Sequence, residues 1–220
     1  MASEAGEHEA PRRGRFIVLE GGEGAGKSTQ AQRLAEWLRA RGRAPLLTRE
    51  PGGCPLAEAV RAIVLQDWSP APDVLTEALL MFAARREHLR QVIEPALAEG
   101  RDVICDRFVD ASYAYQGAAR GLAQDAIATL ERMVLEGRRA DLVLLLDIDP
   151  ENGATRVRAR GHANRFDAAD LAVQQRIRAA YLQRAAADPA RYCVCDATAA
   201  VDRVTAALRS RVAALLGIAE

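Results

Sequence analysis

The chain is 220 residues long, carries 30 Lys and Arg against 30 Asp and Glu, and is 50% hydrophobic and 27% charged. That balance excludes a disordered, fibrous or low-complexity polypeptide, and zero net charge excludes the broad basic surface that nucleic-acid or acidic-membrane binding requires. Four Cys without metal-type spacing exclude a disulfide scaffold and fit a reducing, cytoplasmic compartment.

Residues 1–14 mix acidic and basic side chains without an apolar stretch, so they read as a disordered tail rather than a targeting signal. No linker divides residues 15–220, which read as one domain. The longest aliphatic run, Leu142 to Leu146, is far too short to span a bilayer. The apolar run from Arg15 to Glu20 ends in glycines and predicts a buried strand. A helix follows from Lys27 to about Arg41, with Ala31, Leu34, Ala35 and Leu38 on one face. A strand over 44–48 precedes a short helix over 55–66 with Pro in its first turn. A long helix is expected over 73–98, capped by Asp73. Strands over 102–106 and 141–147 each end in Asp, with a helix over 123–136 between them. Helices over 151–160 and 169–187, a strand over 191–195 and a helix over 199–216 complete the chain. This alternation predicts an α/β fold with a five-stranded parallel sheet covered by helices on both faces. Such sheets bind ligands at the carboxyl ends of their strands.

Gly21, Gly22, Glu23, Gly24, Ala25, Gly26, Lys27 and Ser28 match G-x-x-x-x-G-K-[ST] between a predicted strand and a predicted helix. The glycines let backbone N–H groups turn around a phosphate, and the helix N-terminus adds partial positive charge. Lys27 would reach the terminal phosphates and Ser28 would ligate Mg²⁺. Of the thirty basic residues only Lys27 is Lys, which marks a slot that a forked guanidinium does not fill. A GTPase switch is excluded, because no D-x-x-G occurs and a single Lys leaves none for N-K-x-D. Motor and clamp ATPases use more chain.

Other candidates follow later strands. Arg49 and Glu50 lie in the loop after the second strand, as ligand contacts or as a surface ion pair. In the long helix Leu75, Leu79, Phe82, Arg86, Leu89 and Ile93 step by three and four, which predicts a buried stripe interrupted by Arg86. Phe82 and Arg86 would then share a pocket for a planar base, unless Arg86 snorkels outward. Asp106 stands where an acidic residue organises Mg²⁺ and Arg107 where a phosphate clamp sits; a buried structural pair is the alternative. Ser112, Tyr113, Tyr115 and Gln116 form a polar-aromatic cluster suited to recognition. Arg156, Arg158, Arg160 and Arg165 form either a lid over the transferring phosphoryl group or a solvated face, with Arg156 and Arg160 sharing one side of a helix.

Five segments together resemble the bacterial type of thymidylate kinase: Glu20 to Thr29, Thr48-Arg-Glu-Pro-Gly-Gly53, Leu80 to Arg86, Asp106-Arg-Phe with Ala114-Tyr-Gln-Gly117, and Arg156 to Arg165. They occur in family order from about Phe16 to the final helix. The resemblance implies a P-loop NTPase fold, a homodimer, and MgATP-dependent phosphorylation of dTMP to dTDP on the route to dTTP. Another nucleoside monophosphate or deoxynucleoside kinase, or a P-loop regulator, is the alternative. It implies ATP binding by Gly21 to Thr29, and Mg²⁺ held by Ser28 and Asp106. It places Phe82 on thymine, Arg86 on a base carbonyl and Ser112 near the base edge, with Pro51 and Gln116 also in the dTMP site. Arg107, with Arg49, would hold the monophosphate; Tyr115 would crowd the sugar 2′ position, and Glu23 would lie near the 3′-hydroxyl. With Gly24 in the P-loop, Arg160 and Arg165 of a lid near 151–167 would supply transition-state charge. Partners would be dTMP, ATP and a second copy of the chain, with no nucleic acid and no membrane. Cys54, Ala111 and the run Asn164-Arg165-Phe166-Asp167 depart from the usual family pattern.

Overall fold

The computed structural model describes residues 13–161 and 170–219. Strands β1 (Phe16–Glu20), β2 (Leu46–Arg49), β3 (Val103–Asp106), β4 (Leu142–Asp147) and β5 (Tyr192–Asp196) form one parallel sheet in the order β2-β3-β1-β4-β5. Register places Leu19 beside Asp106 of β3 on one side and Leu144 of β4 on the other. The loops after β1 and β3 are therefore neighbours at the carboxyl edge.

Strand residues alternate between two cores, as a sheet covered on both faces requires. Phe16 and Val18 of β1, with Val143 and Leu145 of β4, pack towards Phe82, Leu89 and Tyr181. Ile17 and Leu19, with Leu142, Leu144 and Leu146, pack towards Leu34, Leu38 and Leu208. Helices α1 (Lys27–Arg39) and α9 (Val201–Leu216) thus cover one face. Helices α3 (Val74–His88) and α8 (Leu171–Ala187) help to cover the other. Helix α2 (Pro55–Leu65) packs on α3 through a small cluster that includes Ala57, Val60, Met81 and Ala84.

The long helix begins as expected, with the Asp73 carboxylate accepting from Leu75 N at 2.9 Å and Thr76 N at 3.3 Å. It widens into a π-helical turn over Leu89–Ile93 before α4 (Glu94–Ala98). The predicted stripe holds in its second half, where Phe82, Leu89 and Ile93 are buried, but not elsewhere: Leu75 and Leu79 are exposed, and Ala78, Met81, Arg85 and His88 are buried beside Phe82. Choosing the face by hydrophobicity passed over Glu77, Arg85 and His88, whose polar groups are buried with partners. Two further elements had no sequence expectation: α5 (Val109–Ser112) and a π-helical segment, Tyr113–Ala119. Helices α6 (Gln124–Leu135) and α7 (Pro150–Arg160) flank β4 in sequence. Gly14, assigned to the tail from sequence, is buried and donates its N–H to Leu97 O at 3.0 Å; residues 1–12 lie outside the described residues.

Candidate active site

The turn from β1 into α1 is built on backbone that only glycine adopts freely. Gly21, Gly24 and Gly26 have φ of 141°, 73° and 87°. Lys27 folds back over this turn and donates from Nζ to Gly22 O at 2.7 Å. Burial, reinforced by the Arg107 charge, lowers its pKa to about 8. Ser28 Oγ donates to Asp106 Oδ2 at 2.5 Å, joining the first residues of α1 to the end of β3. The loop also meets α7. A Cβ added at Gly24 would lie 2.3 Å from Gly153 O, and one at Gly153 would lie 2.5 Å from Glu23 O.

A cavity of about 580 Å³ opens above this turn, within the range of small-ligand sites. One end is walled by Arg156, Val157, Ala197, Ala199, Val201 and Val204; the Arg156 Nη1 donates to Ala197 O at 2.8 Å. The other end is walled by Arg49, Pro51, Arg61, Met81, Arg107, Tyr115 and Gln116. Lys27, Ser28, Thr29 and Asp106 line the same cavity.

Arg107 has φ of 72°, left-handed backbone that is rare outside glycine and costs energy unless its surroundings enforce it. Here they do. Arg107 N donates to Leu19 O at 2.9 Å, and Phe108 N donates to Glu20 Oε1 at 2.7 Å. Its guanidinium donates to Glu23 Oε1 at 2.6 Å, Gly21 O at 3.1 Å and the Tyr181 hydroxyl at 3.2 Å. Burial opposes that charge, but Glu23, Tyr115, Tyr181 and Asp106 hold it firmly protonated. Tyr115 Oη donates to Glu23 Oε1 at 2.8 Å, so one carboxylate gathers both side chains. Glu20 itself is fully buried, with the Tyr181 side chain beside its carboxylate. Burial, with Asp110 nearby, raises its pKa to about 7.

A protein-family model for thymidylate kinase matches residues 19–208. The chain belongs to the thymidylate kinase family. It is 52% identical over 203 residues to a thymidylate kinase of Pseudomonas savastanoi, covering 92% of this chain and 97% of that protein. It is 49% identical over 209 residues to one of Caulobacter vibrioides, covering 93% and 99%. Among solved structures, thymidylate kinase from Ehrlichia chaffeensis superposes with a TM-score of 0.76 at 30% identity, covering 91% of this chain and 99% of that one.

Of the sequence-predicted site residues, Glu23, Lys27, Ser28, Arg49, Pro51, Asp106, Arg107, Tyr115 and Gln116 meet around one cavity. Gly21 and Gly22 of the predicted phosphate-binding run do not line it, nor do Phe82, Arg86 and Ser112 of the predicted dTMP set. Phe82 lies in the hydrophobic core at 1% exposure, and Met81 takes the cavity position. Arg86 points away from the site: Nη1 donates to Val134 O and Nη2 to Glu136 Oε1, both at 2.9 Å. The charge on the buried face is Arg85, at 4.8 Å over the Phe82 ring. Ser112 is fully buried and accepts from Arg85 Nη1 at 3.1 Å. Glu50 is not a surface partner of Arg49. It is buried and accepts from Arg85 Nε at 2.6 Å, while Arg49 Nη2 donates to both oxygens of Glu58 at 3.0 and 2.9 Å. Arg61 was missed too; it lies in a hydrophobic helix and reaches Pro51 O at 2.9 Å through Nη1. Arg160 is the last residue of α7, and Arg165 lies outside the described residues.

Proposed function

We propose that the chain transfers the γ-phosphoryl group of ATP to dTMP in the presence of Mg²⁺, giving dTDP and ADP. The supporting observation is one cavity with two ends and the P-loop between them. A hydrolase needs room for one nucleotide beside that loop; a transferase needs an acceptor end with cations of its own. Arg49, Arg61 and Arg107 are those cations, facing a dianionic phosphate that Arg suits by its forked donors.

The donor nucleotide is assigned to the end walled by Arg156 and Val201, with its phosphates over the Gly21–Thr29 turn. The Ser28 and Asp106 oxygens suit Mg²⁺, which keeps water and phosphate oxygens as most of its ligands. When bound, the ion would neutralise charge on the terminal phosphates. Lys27 orients the γ-phosphoryl group, and Arg107 holds the acceptor phosphate opposite it. Such positioning, with charge stabilisation, supplies most of the catalysis in phosphoryl transfer. Arg160 and Arg165, in a lid near 151–167 of the single domain, are assigned the charge that Gly24 does not provide. Among the described residues Gln116 Oε1 is a buried acceptor without a partner at the acceptor end, suited to the imide N–H of thymine. Tyr115 and Glu23 fall to the sugar.

A homodimer is proposed as well. Leu56 and Ile63 of α2, Leu75 and Leu79 of α3, and Met133 of α6 are all exposed, on helices packed side by side. Among the described residues no helix is long and apolar enough to cross a membrane; free Cys54 and Cys105 suit the reducing cytoplasm. The deciding assay offers MgATP with dTMP, dUMP, AMP and GMP in turn. Transfer is expected to favour dTMP over dUMP by about 10–200-fold in kcat/KM, the value of one buried methyl group. Equal use of the two pyrimidines would overturn the thymine site, and faster use of a purine would overturn the substrate assignment.

A further inference from the structure

A line of buried hydrogen bonds runs from the end of β2 to the segment after β3. Thr48 Oγ1 lies 2.7 Å from His88 Nε2, and His88 Nδ1 lies 3.1 Å from Glu50 Oε1. Glu50 Oε2 accepts from Arg85 Nε at 2.6 Å. Arg85 then donates to Ser112 Oγ at 3.1 Å and to Phe108 O at 3.0 Å. His88, Glu50, Arg85 and Ser112 are all buried, at 0%, 3%, 1% and 0% exposure. Gly53 is pressed against the imidazole, where an added Cβ would lie 2.3 Å from Nε2. Paired with Arg85, the Glu50 carboxylate offers acceptors only, so Nδ1 is the ring nitrogen that donates to it. Nε2 is hydrogen-bonded to the Thr48 hydroxyl.

The residues flanking this line are those of the acceptor end. Arg49 and Pro51 bracket Glu50, and Arg107 precedes Phe108; all three line the cavity. His88 touches neither ligand end itself. We infer that His88 is a positioning residue for dTMP: by holding Glu50 through Nδ1 it sets the Arg49–Gly53 loop, and with it the distance between Arg49 and Arg107. This rests on the proposed dTMP kinase activity and adds a residue to its acceptor site.

The two bonds of the ring can be separated. In His88→Asn the amide lies near the place of Nδ1, keeping a donor for Glu50 and losing Thr48. In His88→Gln it reaches the place of Nε2, keeping Thr48 and losing Glu50. Initial rates are measured on the full chain, with dTMP and ATP varied in separate series, alongside the melting temperature. His88→Gln and His88→Ala are expected to raise the dTMP KM on the order of tenfold, the value of one buried hydrogen bond to a charged group. Their ATP KM should stay within about twofold of wild type, and His88→Asn should retain near-normal dTMP KM. The inference is overturned if Asn and Gln behave alike, or if both KM values rise together in step with a lower melting temperature. It is also overturned if His88→Ala leaves the dTMP KM unchanged; should that variant not fold, the Asn and Gln pair decides. A wild-type chain that leaves dTMP unphosphorylated overturns the functional proposal, and this inference with it.

Discussion

Lys27 sits in an enclosure that disfavours its own charge. Burial puts its pKa at about 8 in the nucleotide-free site, and a phosphate beside it would reverse that preference. Nucleotide binding above pH 8 should therefore take up a proton, seen by calorimetry as a buffer-dependent heat that vanishes in Lys27→Ala. Lys27→Arg keeps a charge but not a compact one, and is expected to lose nearly all transfer while dTMP binding stays measurable; near-normal turnover would refute the argument. Glu20 is the acidic counterpart. Its folded pKa of about 7 lies above the ordinary 4.5, so the native state binds more protons than the unfolded chain between those values. Its contribution to stability is full below pH 4.5 and is lost as pH rises through 7. Glu20→Gln keeps an acceptor for Phe108 N and carries no charge to bury. Its melting temperature should exceed that of wild type at pH 8, with the gap closing at pH 5. A gap independent of pH would show that Glu20 is not the group that titrates.

At the scale of elements, α3 shows where sequence reading works and where it stops. Its start was legible because a cap is local: Asp73 reaches N–H groups two and three residues ahead. Its buried face was legible only in part, at Phe82, Leu89 and Ile93, because the partners that make Arg85 tolerable come from three other places, Glu50, Ser112 and Phe108. Two adjacent arginines cannot be told apart by hydropathy, yet they face opposite fates. Arg85→Ala leaves the Glu50 carboxylate buried without its main partner and is expected to cost about 3–5 kcal/mol of stability. Arg86→Ala removes a partly exposed contact with Glu136 and should cost about 1 kcal/mol or less. Denaturant unfolding of the two variants checks the order; a larger loss for Arg86→Ala would restore the stripe read from sequence. The place of the P-loop turn and of Asp106-Arg107 at the cavity was legible for the opposite reason, since each is a run of consecutive residues at the end of a strand. Arg61 had no such signal: a lone Arg on an amphipathic helix looks like any solvated side chain.

For the molecule as a whole, the strand order was beyond the sequence reading, although the parallel sheet was not. Alternating apolar runs announce βα units but do not say which strands are neighbours, and here β1 lies between β3 and β4. That placement brings the P-loop beside both Asp106 and α7. Association is the other whole-molecule question. Burying Leu75 and Leu79 against a second copy should make the protein a dimer in solution. Leu79→Glu, changing a side chain that is 49% exposed in the single chain, should yield a folded monomer by sedimentation. An unchanged dimer would place the interface elsewhere.

The contact between Gly24 and Gly153 joins the P-loop to α7. Position 24 lies in the P-loop itself, next to the glutamate that holds Arg107. In this chain the space for any side chain there is already filled by the backbone of α7, at 2.3 Å from Gly153 O. A Cβ at position 153 is barred in turn by the carbonyl of Glu23 at 2.5 Å. Neither glycine can gain a side chain alone without displacing the backbone opposite it. The two positions are therefore coupled: a side chain at one is tolerated only when the loop or the helix shifts to make room, so a change at either is a change to both.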